Sequence, residues 1–524
     1  MKKSTTKTSL FGAALALVAV MLLTLFAGNL SAQNPYPDYD FKAVNADGDT
    51  LYYRITSSTA PYTVAVTRCH DSVYHTLPDP QIAHEVGQPG FLYPVYDYDS
   101  LITIPSSVTY QGQTYTVNAI DKEAFYMQKD MHTVVLPTSI VTIDTGAFHR
   151  STLHQIVMSP NVTRINYYAF ESTPLEAIDL PSGLTHIGKE AFAWTSISEV
   201  EIPGGVTVLP YLAFYKSPLT KISFHEGLQE IEWLAFSATY IDSLVFPSSL
   251  RKIMLGDRYY YWSDSILCRY VKFQNGPNPL ELGDYCFAGF VHLETLILSD
   301  NITRLGQSCF EATNLQSVFI PSLVDTIPKD CFFNCQRLSN VVLPQQLSVI
   351  EMNAFGATPL LTEISFPASL TAIGMSAFDN NLKIINCYGE MPPTIVGGTF
   401  SSFNRHDTVY VRVPCGTTSA YQSAPGWNSY SNFIYEECVG VENYEPLDIK
   451  IWPNPVGEVL HVECNENHNV WFMEIYDIHG HRIVSKQGCS NSTVLDISSL
   501  AIGTYVLACT APTGYRSHII FVKK

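Results

Sequence analysis

The residue pairs that could support hydrolytic chemistry in this sequence lack their partners. His84-Glu85 and His225-Glu226 begin the pattern H-E-x-x-H, but neither is followed by the second histidine, one helical turn later, that a zinc site needs. No G-x-S-x-G sequence, which would place a nucleophilic serine on a sharp turn, is present. Glu199 and Glu201 are paired carboxylates, but on one strand they would share a solvated face. The sequence therefore predicts a protein that is not an enzyme.

The twelve cysteines predict buried packing or a structural bridge rather than a reactive thiol. Cys331 and Cys335 are one residue too far apart for the C-x-x-C motif of redox and metal sites. Cys286, Cys309 and Cys331 stand directly before a phenylalanine, where other copies of the same pattern have alanine. That position suits a small apolar side chain, so we expect these thiols to be buried. We expect neither a metal nor a cofactor.

Charge and composition argue against some partners and favour β structure. The chain has 524 residues, with 30 Lys and Arg against 48 Asp and Glu and a net charge of −18. Because no basic run follows the first few residues, nucleic acid and anionic lipid are not expected as partners. The 31 tyrosines and 27 phenylalanines, in a chain with 15% charged residues, favour strands over helices.

Residues 1–32 have the organisation of a secretory signal peptide. Lys2, Lys3 and Lys7 precede an apolar run over 10–27, and small residues up to Ala32 follow. We expect cleavage after Ala32 and export. An uncleaved membrane anchor is the alternative, because the apolar run is long for a signal peptide. No later stretch of the sequence is expected to span a bilayer.

A phenylalanine recurs through the middle of the chain at a nearly constant interval. Successive steps are 23, 22, 22, 22, 22, 51, 23, 22, 23, 23 and 22 residues, and a Leu or Ile stands five residues before each of the first eleven copies. This period predicts a solenoid of stacked coils, in which each coil buries its apolar face against its neighbours. The copies are Phe125, Phe148, Phe170, Phe192, Phe214, Phe236, Phe287, Phe310, Phe332, Phe355, Phe378 and Phe400.

One coil divides into two extended pieces and a turn. Ile178–Pro181 alternates between inward and outward positions, as a strand does, and its proline ends it. Leu184–Ile187 is a second short extended piece. The next position holds residues that favour the start of a helix in many copies. We therefore expect a single helical turn over Lys189–Phe192 that brings Phe192 and the alanine before it into the core.

The pattern I-x-L-P-x-x-L-x-x-I-G-x-x-A-F, seen in Ile178–Phe192, resembles the BspA-type leucine-rich repeat of secreted and cell-surface bacterial proteins. The resemblance covers Ile120–Phe400, although the register fails between Phe236 and Phe287. It implies a mainly β fold with short helical turns, a solenoid of about 12 coils of 22–23 residues over 118–403. It also implies a role in adhesion.

The segments on either side of the repeats have the character of caps. Residues 33–117 contain alternating strands that would cover the open first coil. Residues 404–438 contain a last strand and a short helix, with Tyr421 and Trp427 expected to point inward.

Two cysteines bracket the second of these caps. We expect Cys415 and Cys438 to form its disulfide, because an exported chain permits such bonds. Residues 439–446 are then a linker to a further domain.

Residues 447–524 follow a different pattern, with about seven short strands separated by turns, which predicts an Ig-like β-sandwich. Pro453–Pro455, Tyr476-Asp477, Leu495–Ile497 and Lys523-Lys524 resemble the type A sorting domain of the type IX secretion system. The resemblance implies that the domain engages the type IX machinery, directs passage through the outer membrane and is then removed. The protein would be secreted, or attached to the outer surface of a Gram-negative, Bacteroidetes-like bacterium.

The outward strand positions and an irregular insert are the candidate binding residues. Ile297, Phe319 and Val342 would form an apolar strip on the sheet face, and exposed apolar strips commonly mark contact sites. The alternative is that a loop or cap covers them. The second candidate is the insert between two coils, which contains stiff, partly polar aromatic rings. Such rings suit recognition of protein or of sugar rings. The alternative is that they fill the core of their own coil. These rings are Tyr259, Tyr260, Tyr261 and Trp262.

The sequence therefore predicts a surface protein that binds host or neighbouring-cell proteins. Two alternatives stay open, a carbohydrate-binding surface protein and a structural component of the envelope.

Overall fold

A computed structural model describes thirteen segments of the chain. They are residues 39–68, 74–75, 93–94, 100–256, 267–378, 381–396, 398–400, 409–437, 448–464, 472–477, 482–487, 492–510 and 516–524. The expected signal peptide, the aromatic insert Tyr259–Trp262, His84-Glu85 and Cys438 lie outside them. No helix among the described residues has the length and apolar character that crossing a bilayer requires.

Two ladders of short strands run along the repeat region. In the first, successive strands of three to five residues pair in parallel, as Val200 does with Ile222. Their inward side chains are buried, which makes this ladder one wall of the core. Its strands are Leu101–Thr103, Thr133–Val135, Gln155–Val157, Glu199–Ile202, Lys221–Phe224, Ser243–Phe246, Tyr270–Phe273, Thr295–Ile297, Ser317–Phe319, Asn340–Val342, Glu363–Phe366, Ile384–Cys387, Tyr410–Pro414 and Ile434–Glu437.

The second ladder contains shorter strands, each ending near the Leu or Ile that stands before the turn. Ile143 pairs in parallel with Ile165, and both are fully buried. The strands are Thr142–Ile143, Arg164–Ile165, His186–Ile187, Val208–Leu209, Glu230–Ile231, Lys252–Ile253, Leu280–Leu282, Ile302–Arg304, Thr326–Ile327, Val349–Ile350, Ala372–Ile373 and Thr394–Ile395. The described strand pairs of the two ladders are all parallel, as a solenoid requires.

The 51-residue step between Phe236 and Phe287 contains two coils. Ser243–Phe246 and Lys252–Ile253 belong to the first, and Tyr270–Phe273 and Leu280–Leu282 belong to the second. The extra residues lie between the two coils, so the insertion leaves both ladders continuous.

The turn that carries each phenylalanine is not the helical turn expected from the sequence. In the coil of Phe192, the residues two before and two after the ring, Glu190 and Trp194, have φ values of 55° and 57°. This left-handed conformation interrupts a helix. Ala191 N–H donates to Gly188 O in a tight turn, while Glu190 N–H and Trp194 N–H donate to Tyr211 O and Tyr215 O of the next coil. The turn therefore directs its N–H groups toward the adjacent coil rather than along a helix axis.

The phenylalanine rings stack along the solenoid in two columns. Rings from Phe125 to Phe214 lie 5.1–5.4 Å apart between centroids, and rings from Phe287 to Phe400 lie 5.3–5.9 Å apart. Phe246 and Phe273, 4.8 Å apart, fill the interval. Burying one such ring contributes about 1.5–3 kcal/mol, so the columns are the main apolar contacts between coils.

An N-terminal layer joins the first coil through its hydrogen bonds. Thr63–Thr67 pairs with Gln113–Ile120, which in turn pairs with the first strand of the second ladder. Arg54 Nε lies 2.6 Å from the Asp121 carboxylate, which is nearly fully buried. We propose that this layer caps the solenoid. Its strands are Phe41–Val44, Thr50–Ser57, Thr63–Thr67, Ser107–Tyr110 and Gln113–Ile120, and a separate pair is formed by Tyr74–His75 and Tyr93–Pro94.

The far end of the solenoid is covered by an α-helix over Thr418–Ser423 and a 3-10 helix over Trp427–Phe433. Tyr421 and Trp427 are fully buried, as the sequence predicted. The Tyr421 hydroxyl donates to Gly389 O at 2.8 Å and Trp427 Nε1 donates to Pro393 O at 2.7 Å. These bonds satisfy both polar groups inside the apolar end of the core.

The C-terminal region is β-rich and has its own core. One sheet consists of Ile449–Trp452, Val459–Cys464 and Ser492–Asp496, and the other of Phe472–Asp477, Arg482–Gln487, Gly503–Thr510 and Arg516–Lys523. The described strand pairs within each sheet are antiparallel, and one isolated parallel bridge joins Val456 to Lys523. Leu460 and Val462 of the first sheet pack with Ile475, Leu507 and Phe521 of the second. The two sheets thus enclose one core, and an Ig-like topology stays a prediction.

The left-handed turn residues yield a stability prediction. Ala312 has a φ of 57°, and the equivalent position two residues after Phe287 is Gly289, with a φ of 74°. Relief of about 1–2 kcal/mol of left-handed strain offsets the chain entropy of glycine, which costs about 0.5–1 kcal/mol. Ala312→Gly should therefore leave the midpoint of urea unfolding unchanged or raise it.

The matched control is Ala177→Gly, at an exposed position that has no positive φ. It should destabilise the protein by about 0.5–1 kcal/mol. If Ala312→Gly and Ala177→Gly lower the free energy of unfolding equally, the left-handed backbone of Ala312 is not strained.

The disulfide yields a second prediction. Cys415 is disulfide-bonded, and the parallel register pairs Pro414 with Glu437, one residue before Cys415 and Cys438. Neighbouring strands approach closely enough for such a bond. Non-reducing peptide mass spectrometry of the exported protein should recover a peptide linked through Cys415 and Cys438. Linkage of Cys415 to another cysteine would contradict the pairing.

Candidate binding surfaces

The outward side chains of the first ladder lie along one side of the coils, but the apolar residues among them differ in exposure. Val157 and Val245 are 54% and 42% exposed, whereas Ile297 and Val342, at the same position of other coils, are 8% and 5% exposed. Phe319 lies between them, and its strand pairs with that of Val342. The predicted apolar strip of Ile297, Phe319 and Val342 is therefore assembled as expected, and it is largely covered.

The C-terminal domain provides the cover. The Phe319 ring lies 6.1 Å from the Tyr476 ring in an edge-on arrangement and 5.6 Å from the His518 ring. Val506 and Ile520 belong to the same small apolar cluster. In the full-length protein, another part of the chain therefore covers the strip, which is the second of the two interpretations offered by the sequence.

A second surface was not identified from the sequence. On the turn segments of the coils that contain Phe170, Phe192 and Phe236, Tyr167, Trp194 and Trp233 are about half exposed. The rings of Trp194 and Tyr215 meet edge-on at 5.9 Å, and Lys216 Nζ lies 4.0 Å from the centre of the Trp194 ring. We call Tyr167, Trp194, Tyr215 and Trp233 the aromatic edge. The sequence alone could have identified two of these residues, because alignment of the repeats places Tyr167 and Trp233 at the same position of different coils.

The carboxylates near the sheet face are solvated, as the sequence predicted for Glu199 and Glu201. They line a polar groove with Asp179, Lys221 and Ser223. Both glutamates are well exposed, and the Lys221 ammonium lies 3.8 Å from the Glu199 carboxylate. Exposed ion pairs of this kind contribute little to stability.

The cysteines considered as reactive groups are sequestered. Cys286, Cys309, Cys331 and Cys335 are fully buried free thiols. Burial raises the pKa of the Cys309 and Cys331 thiols well above the usual value, and it raises the pKa of Cys335 to about 11. Because the thiolate is the reactive form, these side chains behave as small apolar residues. Among the described residues, His, Cys, Asp and Glu form no group that could hold a metal ion.

Comparison with known proteins agrees with this architecture. Residues 143–267 and 255–385 match a family described as "BspA type Leucine rich repeat region (6 copies)", and residues 450–523 match "Secretion system C-terminal sorting domain". No curated protein matches the chain.

Three solved structures illustrate the similarity. A leucine-rich repeat protein from Bacteroides ovatus ATCC 8483 is 23% identical, with 76% of this chain and 99% of that chain covered and a TM-score of 0.51. This likeness shows the fold alone. The pneumococcal vaccine antigen PcpA is 17% identical over 77% of this chain and 100% of its own, with a TM-score of 0.38. A leucine-rich cell surface protein from Faecalibacterium prausnitzii A2-165 is 14% identical over 77% and 96%, with a TM-score of 0.32.

The family matches coincide with the two separately packed parts of the chain. The repeat match lies within the stacked parallel coils, and the sorting-domain match spans the antiparallel sheets. The sorting domain implies contact with the type IX secretion machinery. The chain thus contains BspA-type leucine-rich repeats followed by a type IX C-terminal sorting domain, and it is secreted or attached to the cell surface of a Bacteroidetes-type bacterium.

Proposed function

We propose that this protein is a non-catalytic adhesin that binds host or neighbouring-cell proteins through the outward face of its first ladder. The observation that carries the proposal is the apolar strip, in which Ile297, Phe319 and Val342 occupy the same outward position on three consecutive coils. Bulky apolar residues at the centre of a contact supply much of the energy of protein association. The packing of Phe319 against another β-sheet in the same chain supports its suitability for such a contact.

The rigidity of the ladder strengthens this proposal. Each strand of the strip has its inward side chains in the core, and its N–H and C=O groups bond to adjacent coils. A surface held in this way loses little conformational entropy on binding. The adhesion partner would therefore meet a preformed strip.

The chemistry of the described residues supports a binding role rather than catalysis. The paired glutamates are solvated, and the four thiols of the repeats named above are buried. A catalytic site would need converging polar groups in a sheltered pocket. The strip offers apolar contact instead.

Phe319→Glu tests the strip. In a chain whose sorting domain has been cut off at a protease site placed in 439–446, the substitution should weaken capture by immobilised host matrix proteins at least about tenfold, since a charge replaces the central ring. Biolayer interferometry against a panel of such proteins gives the measurement.

Leu323→Glu is the matched control, because Leu323 is an exposed residue in the loop that follows the same strand. It should leave capture unchanged. Equal binding by the Phe319→Glu variant would contradict the strip as the contact. Failure of every protein in the panel, together with self-assembly of the chain into a lattice, would favour a structural component of the envelope.

Carbohydrate binding is the second candidate, and the aromatic edge favours it. Exposed Trp and Tyr rings on a stiff scaffold present flat apolar surfaces to sugar rings. Trp194 and Trp233 are each about half exposed on turns of nearby coils. The insert Tyr259–Trp262 remains a predicted further contact of the same kind.

Glycan arrays separate this candidate from the first. If the aromatic edge binds sugar, the double variant Trp194→Ala/Trp233→Ala should lose array signals that the Phe319→Glu variant keeps. All variants are compared here in the full-length chain, where Trp452→Ala, at an exposed tryptophan of the sorting domain, is the control and should change nothing. An array without signals from the unsubstituted chain would reject carbohydrate binding.

A further inference from the structure

We infer that the sorting domain is a removable cover for the apolar strip, so that the protein-binding surface becomes accessible only when this domain leaves the solenoid. The inference rests on the proposed function for the role of the strip. The covering itself is a separate physical claim and can be tested without a partner.

Comparison of the same strand position in different coils shows that the strip is buried by a segment packed over it and not by its place in the coil. Val157 and Val245 take the outward position on other coils, and each exposes about half of its side chain. Ile297 and Val342 take the same position and expose less than a tenth. Because all four are aliphatic and stand on equivalent strands, the difference comes from what lies over them.

The occupant has a face suited to this contact. In Gly503–Thr510, Tyr505 and Leu507 point into the core of the sorting domain, while Val506 and Ala508 point away from it and are also buried. In Arg516–Lys523, Phe521 points into that core and Ile520 faces the strip. An antiparallel sheet that covers a core with one face normally presents polar residues on the other. This sheet instead carries a patch of Val506, Ala508 and Ile520 on its outward face, as expected where a sheet packs on two sides.

The contact is separate from both cores. Among the described residues, the main apolar clusters of the solenoid and of the sorting domain share no member, and the small cluster around Phe319 joins the two parts. A cavity of about 30 Å³ lies in the contact, lined by Ile297, Phe319, Val506 and His518 together with polar groups such as Ser317 and Asp477. That volume has room for water. Separation therefore disrupts neither core, and the domain can leave while the solenoid stays folded.

The exposed apolar area of the strip therefore depends on whether the sorting domain is docked. While the sorting domain is docked, Phe319 contacts Tyr476 and His518. Once it is released, the strip would expose its side chains as Val157 and Val245 do. A protein partner that presents apolar side chains would then compete with nothing for the site, whereas before release it must displace the domain.

Thiol reactivity tests the cover in the full-length chain. Ile297→Cys should react with a maleimide roughly sevenfold more slowly than Val157→Cys, in proportion to exposed fractions of 8% and 54%. The seven free cysteines found among the described residues are buried, and the unsubstituted chain gives the background. After cleavage at a site placed in 439–446 and removal of the sorting domain, the two variants should react within about twofold of each other.

A substitution on the cover provides a second arm that needs no cleavage. Val506→Asp places a charge at the contact without entering the core of the sorting domain, and it should raise the reactivity of Ile297→Cys in the intact chain. Val494→Asp, at an exposed position of the same domain, is the control and should not.

Reaction of Ile297→Cys in the intact chain as fast as that of Val157→Cys would overturn the cover, and so would slow reaction that persists after the domain is removed. Because no ligand takes part, failure of the adhesion assay alone would reject the proposed function and leave the cover standing.

Discussion

The structure depends on parallel register between coils. Each coil places its backbone one strand spacing from the next, and residues about one period apart, such as Val200 and Ile222, lie side by side. Like side chains therefore meet like, which is why the phenylalanine rings stack at 5.1–5.9 Å within each column. No coil can bury its own apolar face, so stability comes from contacts between neighbours, and both ends need a cover.

The turns show what this register demands of the backbone. Residues two before and two after most of the repeated phenylalanines are left-handed, and nearly all are not glycine. Isolated left-handed residues of this kind are strained. Here the strained residue points its N–H at a carbonyl of the adjacent coil, as Glu190 does to Tyr211 and Trp194 to Tyr215. Hydrogen bonds repeated along the column hold a conformation that a single turn would not keep, and turn residues thereby reach the surface as the aromatic edge.

The same register organises the outside of the molecule. Outward positions form rows, so three apolar residues from three coils become one strip, and the rings of Trp194 and Tyr215 from neighbouring turns meet edge-on. The sorting domain uses this arrangement by packing an apolar sheet face over the strip. The sorting domain and the proposed binding surface are thus brought into contact by apolar packing between domains.

The sequence by itself determined which residues face the core and how the chain divides. The evidence was the period of about 22 residues, the Leu or Ile five residues before each Phe, and the change of pattern after residue 446. These were sufficient because a coil that buries one face repeats its apolar residues at a fixed spacing along the sequence. The inward cysteines followed from the same reasoning. Tertiary structure decided the rest. The turn is left-handed rather than helical because its hydrogen bonds run between coils, and spacing within one coil cannot show that. Ile297 is hidden while Val157 is exposed because a domain more than a hundred residues away covers Ile297, and no local pattern in the repeats encodes that contact.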